Sequence, residues 1–141
     1  MRYAVYCSRA YDAFAEKRYE DALSYYNRAD EVIGSANESR LLDQDLLSRA
    51  QLQRRLQLYA ESLEDVRLAI AKIRKKNCSS ADKDYLLYYA ARVGALSQSA
   101  KEDIAEASVD PEFLHLTRSK PDKTKVSGSI LRSFPLKSRD K

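Results

Sequence analysis

Few residues of this 141-residue chain could carry catalysis. His115 is the single histidine, and the sequence suggests neither a nucleophile nor an oriented carboxylate beside it. The chain also lacks a glycine cluster and the spacing typical of metal ligands. We therefore expect no enzymatic activity, no catalytic residue, no metal site, no cofactor and no small-molecule substrate.

Basic side chains are a second group of candidates, because lysine and arginine bind phosphates. Residues 1–117 hold 17 Lys and Arg against 19 Asp and Glu, whereas residues 118–141 hold 8 against 2. This asymmetry predicts a flexible basic tail over residues 118–141, to which an acidic or phosphate-bearing partner would bind. RNA binding is one alternative, and its candidate residues are Arg74, Lys75, Lys76, Arg118, Lys120, Lys123 and Lys125.

The elements that must position these residues are helices. Three glycines and three prolines are too few for the frequent turns of a β-sandwich, so we expect an all-α fold. Its one domain should cover residues 1–117. Cys7 and Cys78 form no C-x-x-C motif and no long apolar stretch occurs, which predicts a cytoplasmic protein without membrane insertion.

The spacing of apolar residues predicts where the helices lie. One helix should run from Tyr3 to Phe14, and a second from Tyr19 to Ile33, with Gly34 as its C-terminal stop. Residues 41–76 form either one long helix or two, and compact packing favours two, with a bend near residues 57–62.

Capping residues predict two further helix starts. Ser79 and Asp82 form a weakened capping box before a helix that begins near Ala81. Gly94 marks a position where this helix either continues or turns into an antiparallel partner. Asp110 followed by Pro111 predicts a short final helical turn.

The first two helices match a tetratricopeptide hairpin. A tyrosine three residues before Ala22, followed by Tyr26 and Ala29, is the pattern of the second helix of that repeat. Similar spacings recur 44 residues later, at Val66, Ile70 and Ile73, and another 34 residues later, at Ala100, Ile104 and Ala107. The sequence thus predicts tetratricopeptide-like antiparallel hairpins. As a free-standing adaptor, the chain would bind a peptide segment of another protein in a groove at Tyr6, Arg9 and Asn27.

Three landmarks of the chain resemble the C-terminal half of the sixty-eight-kilodalton subunit of signal recognition particle. The first is the hairpin with Glu20-Asp21-Ala22-Leu23 and Tyr26-Asn27-Arg28-Ala29. The second is residues 73–79, where Asn77 replaces the lysine that the family places beside Cys78. The third is the Asp-Pro segment at 109–114 with the later Phe134-Pro135. The family's final aromatic tail has no counterpart.

The resemblance implies a non-enzymatic scaffold that docks a partner subunit during co-translational targeting to the endoplasmic reticulum. The partner would be the seventy-two-kilodalton subunit of the particle, and contact with the particle's RNA would be indirect, because nothing here matches the family's RNA-binding domain. The docking residues that it implies are Phe113, Leu114, Leu116, Ile130, Leu131 and Phe134.

Overall fold

The computed structural model describes residues 3–32, 41–105 and 108–133 of the chain. Within these ranges the chain forms seven α-helices and a short 3-10 turn, and the described residues contain no β-strand. The all-α fold class that the sequence predicts is therefore confirmed.

The seven helices make up most of the described chain. In chain order they are α1 (Tyr3–Ala15), α2 (Tyr19–Val32), α3 (Asp43–Arg55), α4 (Tyr59–Lys75), α5 (Ser80–Glu102), α6 (Pro111–Leu116) and α7 (Gly128–Ser133), with the 3-10 turn (Lys123–Lys125) before α7. The first two agree with the predicted helices, although the expected stop at Gly34 lies outside the described residues. Residues 41–76 form two helices, as predicted, and the break between α3 and α4 begins at Leu56.

The helices pack as consecutive antiparallel hairpins. α1 packs on α2, α3 on α4 and α5 on α6, while α2 also packs on α3 and α4 on α5. α3 contacts α5 directly, and the hydroxyl of Tyr3 in α1 donates a hydrogen bond to Asp45 in α3. The helices α1, α3 and α5 are thus neighbours, and we term them the first layer.

One type of backbone turn ends every helix of the first layer. Lys17, Gln57 and Asp103 have φ angles of 64°, 66° and 54°, and they are the non-glycine residues with positive φ in the described chain. The N–H after each of them donates to a carbonyl five residues earlier, from Arg18 to Ala13, from Leu58 to Gln53 and from Ile104 to Ser99. This left-handed motif satisfies carbonyls that a helix end leaves free. The chain therefore turns repeatedly although it has only three glycines.

The turns also align the first two hairpins. Gln57 follows Lys17 by 40 residues. At this interval the small and apolar positions of α2 correspond to those of α4, and all six are buried: Ala22, Tyr26 and Ala29 match Ser62, Val66 and Ala69. Small residues at these positions allow neighbouring helices to approach closely.

The 44-residue interval expected between the first and second sets of apolar residues is wrong, because the structure repeats after 40 residues. An offset of 44 residues pairs apolar residues of α2 with those of α4 but does not pair Lys17 with Gln57. The predicted third set fails because α5 has 23 residues, against 13 in α3. Ala100 lies within α5, Ile104 follows its end, and Ala107 lies outside the described residues.

Arg49 in α3 connects the first hairpin to the second. Its Nε and Nη2 donate to the two carboxylate oxygens of Asp65 in α4, at 2.7 and 2.9 Å. Its Nη1 donates to Asn27 Oδ1 at 3.0 Å and to Asp30 Oδ2 at 3.3 Å, both in α2. The side chains of Arg49, Asp65 and Asp30 are 11%, 5% and 16% exposed. Three helices therefore meet at one largely buried guanidinium.

A hydroxyl pair connects the second hairpin to α5. Ser62 Oγ donates to the carbonyl of Ala50 at 2.8 Å and lies 2.8 Å from Ser97 Oγ. Both serines are fully buried. The two small side chains bond to each other where α3, α4 and α5 meet, so burying them leaves no orphaned hydroxyl.

Gly94 does not turn the chain, because α5 passes through it without interruption. A Cβ atom built on Gly94 would lie 2.6 Å from Cζ of Phe113, a fully buried ring in α6. The absence of a side chain at Gly94 therefore leaves room for the ring of Phe113, and this contact holds α6 against α5.

Both predicted caps are confirmed. Ser79 Oγ accepts the N–H of Asp82 at 3.1 Å, and α5 starts at Ser80, one residue before the expected position. Asp110 Oδ1 accepts the N–H of Glu112 at 2.9 Å, with Pro111 as the first residue of α6.

The flexible tail predicted over residues 118–141 is not confirmed for residues 118–133. There the chain forms the 3-10 turn and α7, and Val126 and Ile130 are buried in the same core as α3, α4 and α5. Apolar residues that looked too sparse to build a core of their own join an existing one instead. Residues 134–141 lie outside the described part.

We expect Gly94→Ala to destabilise the protein. Overpacking a core costs about 1–3 kcal/mol, which exceeds the roughly 1 kcal/mol that alanine gains over glycine inside a helix. Urea denaturation should show a lower free energy of unfolding for the variant. The loss should shrink when Phe113→Leu is introduced first, and a variant as stable as the native chain would contradict this contact.

We expect Gln57→Gly to stabilise the protein by about 0.5–1 kcal/mol, because glycine removes the cost of a left-handed side chain and only part of this gain is offset by its freer unfolded state. The matched control is Gln51→Gly in the interior of α3, which should lose about 1 kcal/mol. Chemical denaturation of both variants checks the signs. Equal losses at the two positions would show that the turn carries no strain.

Candidate interaction cleft

A cleft of about 580 Å³ opens between α1, α3 and α7. α1 contributes one face of its helix, with residues spaced three and four apart, and α2 contributes only the ring of Tyr26. The lining residues are Tyr3, Ala4, Cys7, Ser8, Tyr11, Tyr26, Gln44, Asp45, Ser48, Ser129 and Arg132. The cleft is thus a gap between α1 and α3 that side chains do not fill, and we term this gap the seam of the first layer.

A hydrogen-bonded pair closes one end of the cleft. The Tyr3 hydroxyl donates to Asp45 Oδ2 and accepts the N–H of Leu42 at 3.3 Å. Burial raises the pKa of Tyr3 above its ordinary value, and the bond to Asp45 raises it further. Burial also raises the pKa of Asp45, while hydrogen bonds from Tyr3 and Cys7 oppose that rise. The pair is a polar but internally satisfied feature that holds α1 against α3.

Cys7 lies in the wall of the cleft and is half-buried. Burial, and then the charge of Asp45, raise the pKa of its thiol to about 12. The neutral thiol predominates at physiological pH, so Cys7 contributes an apolar surface and not a nucleophile.

The two other tyrosines of the cleft have different roles. Tyr26 is buried at its base, where burial raises the pKa of the phenol. Tyr11 is 43% exposed and stands at the rim. Tyr11 is therefore the aromatic side chain that the cleft offers to a ligand.

The predicted groove residues Tyr6, Arg9 and Asn27 do not line this cleft. Tyr6 is half-buried with its ring centroid 6.5 Å from that of Tyr25, and Arg9 is exposed. Asn27 accepts a hydrogen bond from Arg49 and faces a different hollow, between α2 and the turn after α3. The signal that sequence reasoning missed is the spacing of Tyr3, Cys7 and Tyr11, which places all three on one face of α1.

The predicted docking residues are also not brought together on the surface. Phe113 is fully buried against Gly94 and Ile130 is buried in the main core, which corrects the expectation that they are exposed. Leu116 and Leu131 are half-buried, and Leu114 is exposed. Phe134 lies outside the described residues. Phe113 and Ile130, which were expected to contact a partner, are therefore part of the chain's own core.

The basic candidates for RNA binding divide into two groups. Arg74 Nη1 pairs with Glu112 Oε2 at 2.6 Å, and Lys76 Nζ pairs with Asp43 Oδ1 at 3.1 Å. The other five side chains are exposed, namely Lys75, Arg118, Lys120, Lys123 and Lys125. RNA binding through these residues stays a prediction.

The chain shows no match to any protein-family model, curated protein or solved structure with which it was compared. In the described ranges, no helix is both long and apolar enough to cross a membrane. Among the same residues, no group of three or more His, Cys, Asp or Glu side chains could hold a metal ion. The resemblance to the signal recognition particle subunit stays a prediction.

The raised pKa of Cys7 predicts slow alkylation. With a pKa of about 12, roughly one thiol in ten thousand is ionised at pH 8, against about a quarter of unperturbed cysteines. Iodoacetamide should modify Cys7 at least about a hundredfold more slowly in the folded chain than in urea. Its rate should rise steadily from pH 8 to pH 10, because ionisation is still far from complete. Mass spectrometry of the Cys7 peptide measures both rates, and a plateau near pH 9 would contradict the shift.

Proposed function

We propose that the chain is a non-enzymatic protein-interaction module that binds a segment of another protein in the cleft between α1, α3 and α7. The observation that carries the proposal is the open seam in the first layer, with the exposed ring of Tyr11 at its rim. Concave sites that bind a ligand usually combine apolar walls with a few fixed polar groups. This cleft has both.

A tetratricopeptide-like character is part of the proposal. It is supported by consecutive antiparallel hairpins, by buried small residues in α2 and α4, and by one repeated turn geometry. In stacked helical repeats, the first helices of successive hairpins line a shared concave surface that binds extended partners. Here the cleft lies between α1 and α3, the first helices of two successive hairpins.

The lining residues favour an apolar or aromatic anchor on the partner. Tyr11, Cys7 and Ala4 offer apolar surface, while the carboxylate of Asp45 is already bonded by Tyr3. A peptide that inserts one apolar side chain beside Tyr11 would therefore leave this carboxylate with its hydrogen bond. Central aromatic contacts of this kind contribute much of the affinity of an interface.

The sequence resemblance supplies a candidate partner and place of action. On that basis we propose the seventy-two-kilodalton subunit of signal recognition particle as the partner, in the cytoplasm. The cleft is favoured over the apolar residues near Asp110 as the contact surface, because Phe113 and Ile130 are buried within the chain itself.

We expect Tyr11→Ala to reduce retention of the partner by at least about fivefold, because truncating an interface aromatic costs more than about 1 kcal/mol. Tagged native and variant chains are compared in pull-downs from cytosol. The matched control is Val5→Ala, which removes another exposed apolar side chain of α1 that does not line the cleft. Equal losses for both variants, or no loss for Tyr11→Ala, would contradict the proposal.

Ribonuclease treatment of the same pull-downs separates a protein contact from an RNA contact. Retention that survives ribonuclease and depends on Tyr11 supports the cleft, and recovery of signal recognition particle components would identify the proposed partner. Retention that is lost with ribonuclease, and that falls steeply as salt rises, would instead indicate binding through exposed basic residues.

A further inference from the structure

Three arginines lie close together at the C-terminal end of α3. Arg54 and Arg55 are in the last turn of α3, and Arg92 is in the middle of α5, which packs on α3. Arg54 and Arg55 are half-buried, whereas Arg92 is exposed. We term these three side chains the arginine cluster. The helix dipole favours basic residues in a last helical turn, but it does not account for a third arginine in the middle of a helix.

The charge of Arg54 is poorly compensated within the described part of the chain. Its Nε is buried and has no hydrogen-bond partner among the described residues. Burial lowers the pKa of Arg54 below its ordinary value, and the charge of Arg55 lowers it further. Tyr59 opposes this fall in pKa, and the charge of Arg92 adds to it, but no carboxylate of the described residues is among these influences. An anionic group bound here would supply both an acceptor and the opposite charge.

Aromatic rings hold Arg55 beside Arg54. Cζ of Arg55 lies 5.9 Å from the ring centroid of Phe14 in α1 and 5.4 Å from that of Tyr19 in α2. These cation–π contacts restrain the guanidinium and leave its charge in place. A cation that is already held in position loses less conformational entropy when a ligand binds.

The arginine cluster lies beyond the cleft along the same two helices. Tyr3 in α1 binds Asp45 in α3, and Phe14 in α1 lies beside Arg55 in α3, so one line of contacts follows both helices. Arg55 follows Ser48, a lining residue of the cleft, by seven residues, or roughly 10 Å at a helical rise of about 1.5 Å per residue. An extended peptide covers that distance with about three residues. A segment bound in the cleft therefore reaches the arginine cluster.

We propose that the arginine cluster binds the phosphate group of a phosphorylated side chain, about three residues from the apolar side chain that the same partner inserts beside Tyr11. The inference rests on the proposed function in one respect, namely that the phosphate belongs to the segment bound in the cleft. A guanidinium donates two parallel hydrogen bonds to a phosphate, and a phosphorylated side chain carries about −1.5 to −2 charges at pH 7. It therefore compensates several cations better than a carboxylate or a nucleic-acid phosphodiester, each of which carries one charge.

The first test titrates inorganic phosphate into the full chain labelled with ¹⁵N. Chloride keeps the ionic strength constant, so only specific binding is measured. The side-chain Nε–H resonance of Arg54 should shift along a saturating curve. Arg18 is the internal reference, because it is exposed and already paired with Glu16 and Asp21, and its resonance should not shift.

Three variants locate the binding. Arg54→Gln should weaken phosphate binding at least about tenfold, as expected for the loss of a charge-assisted hydrogen bond, with the Arg55 resonance as the readout. Arg92→Gln should weaken it about twofold to fivefold, because this side chain is exposed. The matched control is Arg9→Gln, which removes an exposed arginine of α1 and should leave binding unchanged. Arg92→Gln also keeps the test decisive if Arg54→Gln loses helical circular dichroism.

Two labelled tetrapeptides test the source of the phosphate. In the first, two alanines separate leucine from phosphoserine, and in the second, alanine replaces the leucine; each is made in both chain directions. By fluorescence anisotropy, the better direction of the first peptide should bind the native chain at least about fivefold more tightly than the second. Tyr11→Ala should abolish this difference without changing the response of Arg54 to inorganic phosphate. Failure of the cleft is therefore distinguishable from failure of the arginine cluster.

Three results would overturn the proposal. The first is the absence of a saturating shift at Arg54 in tens of millimolar phosphate, or equal phosphate binding by the native chain and Arg54→Gln. The second is a phosphopeptide that binds no more tightly than inorganic phosphate, which would restrict the site to the free ion. The third is displacement of the phosphopeptide by an equal concentration of single-stranded oligouridine without a terminal phosphate, which would assign the cluster to nucleic acid.

Discussion

The packing of the first two hairpins depends on the guanidinium of Arg49. It binds Asp65 in α4 with two hydrogen bonds and also reaches Asn27 and Asp30 in α2. Asp65 has little access to water, so removing its partner would leave a buried charge, which costs on the order of 3–5 kcal/mol. The planar guanidinium fixes the directions of its bonds. The contact of α2 with α3 and α4 therefore follows from this one group.

A second constraint is the way in which the first-layer helices end. A left-handed residue stops each helix, and after Lys17 and Gln57 the next helix begins two residues later and packs antiparallel to the first. Small residues such as Ala22 and Ser62 then allow the helices to approach closely. The turns fix topology and the small residues fix distance, whereas Arg49 fixes orientation. Together they explain how a chain with few glycines and prolines forms a layered helical fold.

Sequence reasoning succeeded where the signal is local. The first two helices follow from periodicity and the caps at Ser79 and Asp110 from capping chemistry, and neither needs knowledge of distant contacts. The break between α3 and α4 begins at Leu56, one residue before the bend that was expected near residues 57–62. Sequence reasoning failed where a residue acts through a distant partner. In the sequence, Gly94 suggests a turn, but the structure shows that it makes room for the ring of Phe113. Asn27 was expected in a peptide groove, but its side chain binds Arg49. Lys17 has a left-handed backbone that its residue type does not predict. The cleft was missed for the same reason, because its residues come from α1, α3 and α7.

The seam between α1 and α3 is open because Tyr3, the side chain that connects the two helices, is polar and long. Between α4 and α5, two serine hydroxyls lie 2.8 Å apart at full burial, and Ser62 also donates to the carbonyl of Ala50, which draws α3, α4 and α5 together. Between α1 and α3, the whole length of the Tyr3 side chain separates the backbone of α1 from Asp45. A tyrosine spacer leaves a gap that Cys7 and Tyr26 only partly fill. α7 ends beside this gap and covers the adjoining surface, so the part of the first layer able to accept a ligand is the part that close packing leaves incomplete.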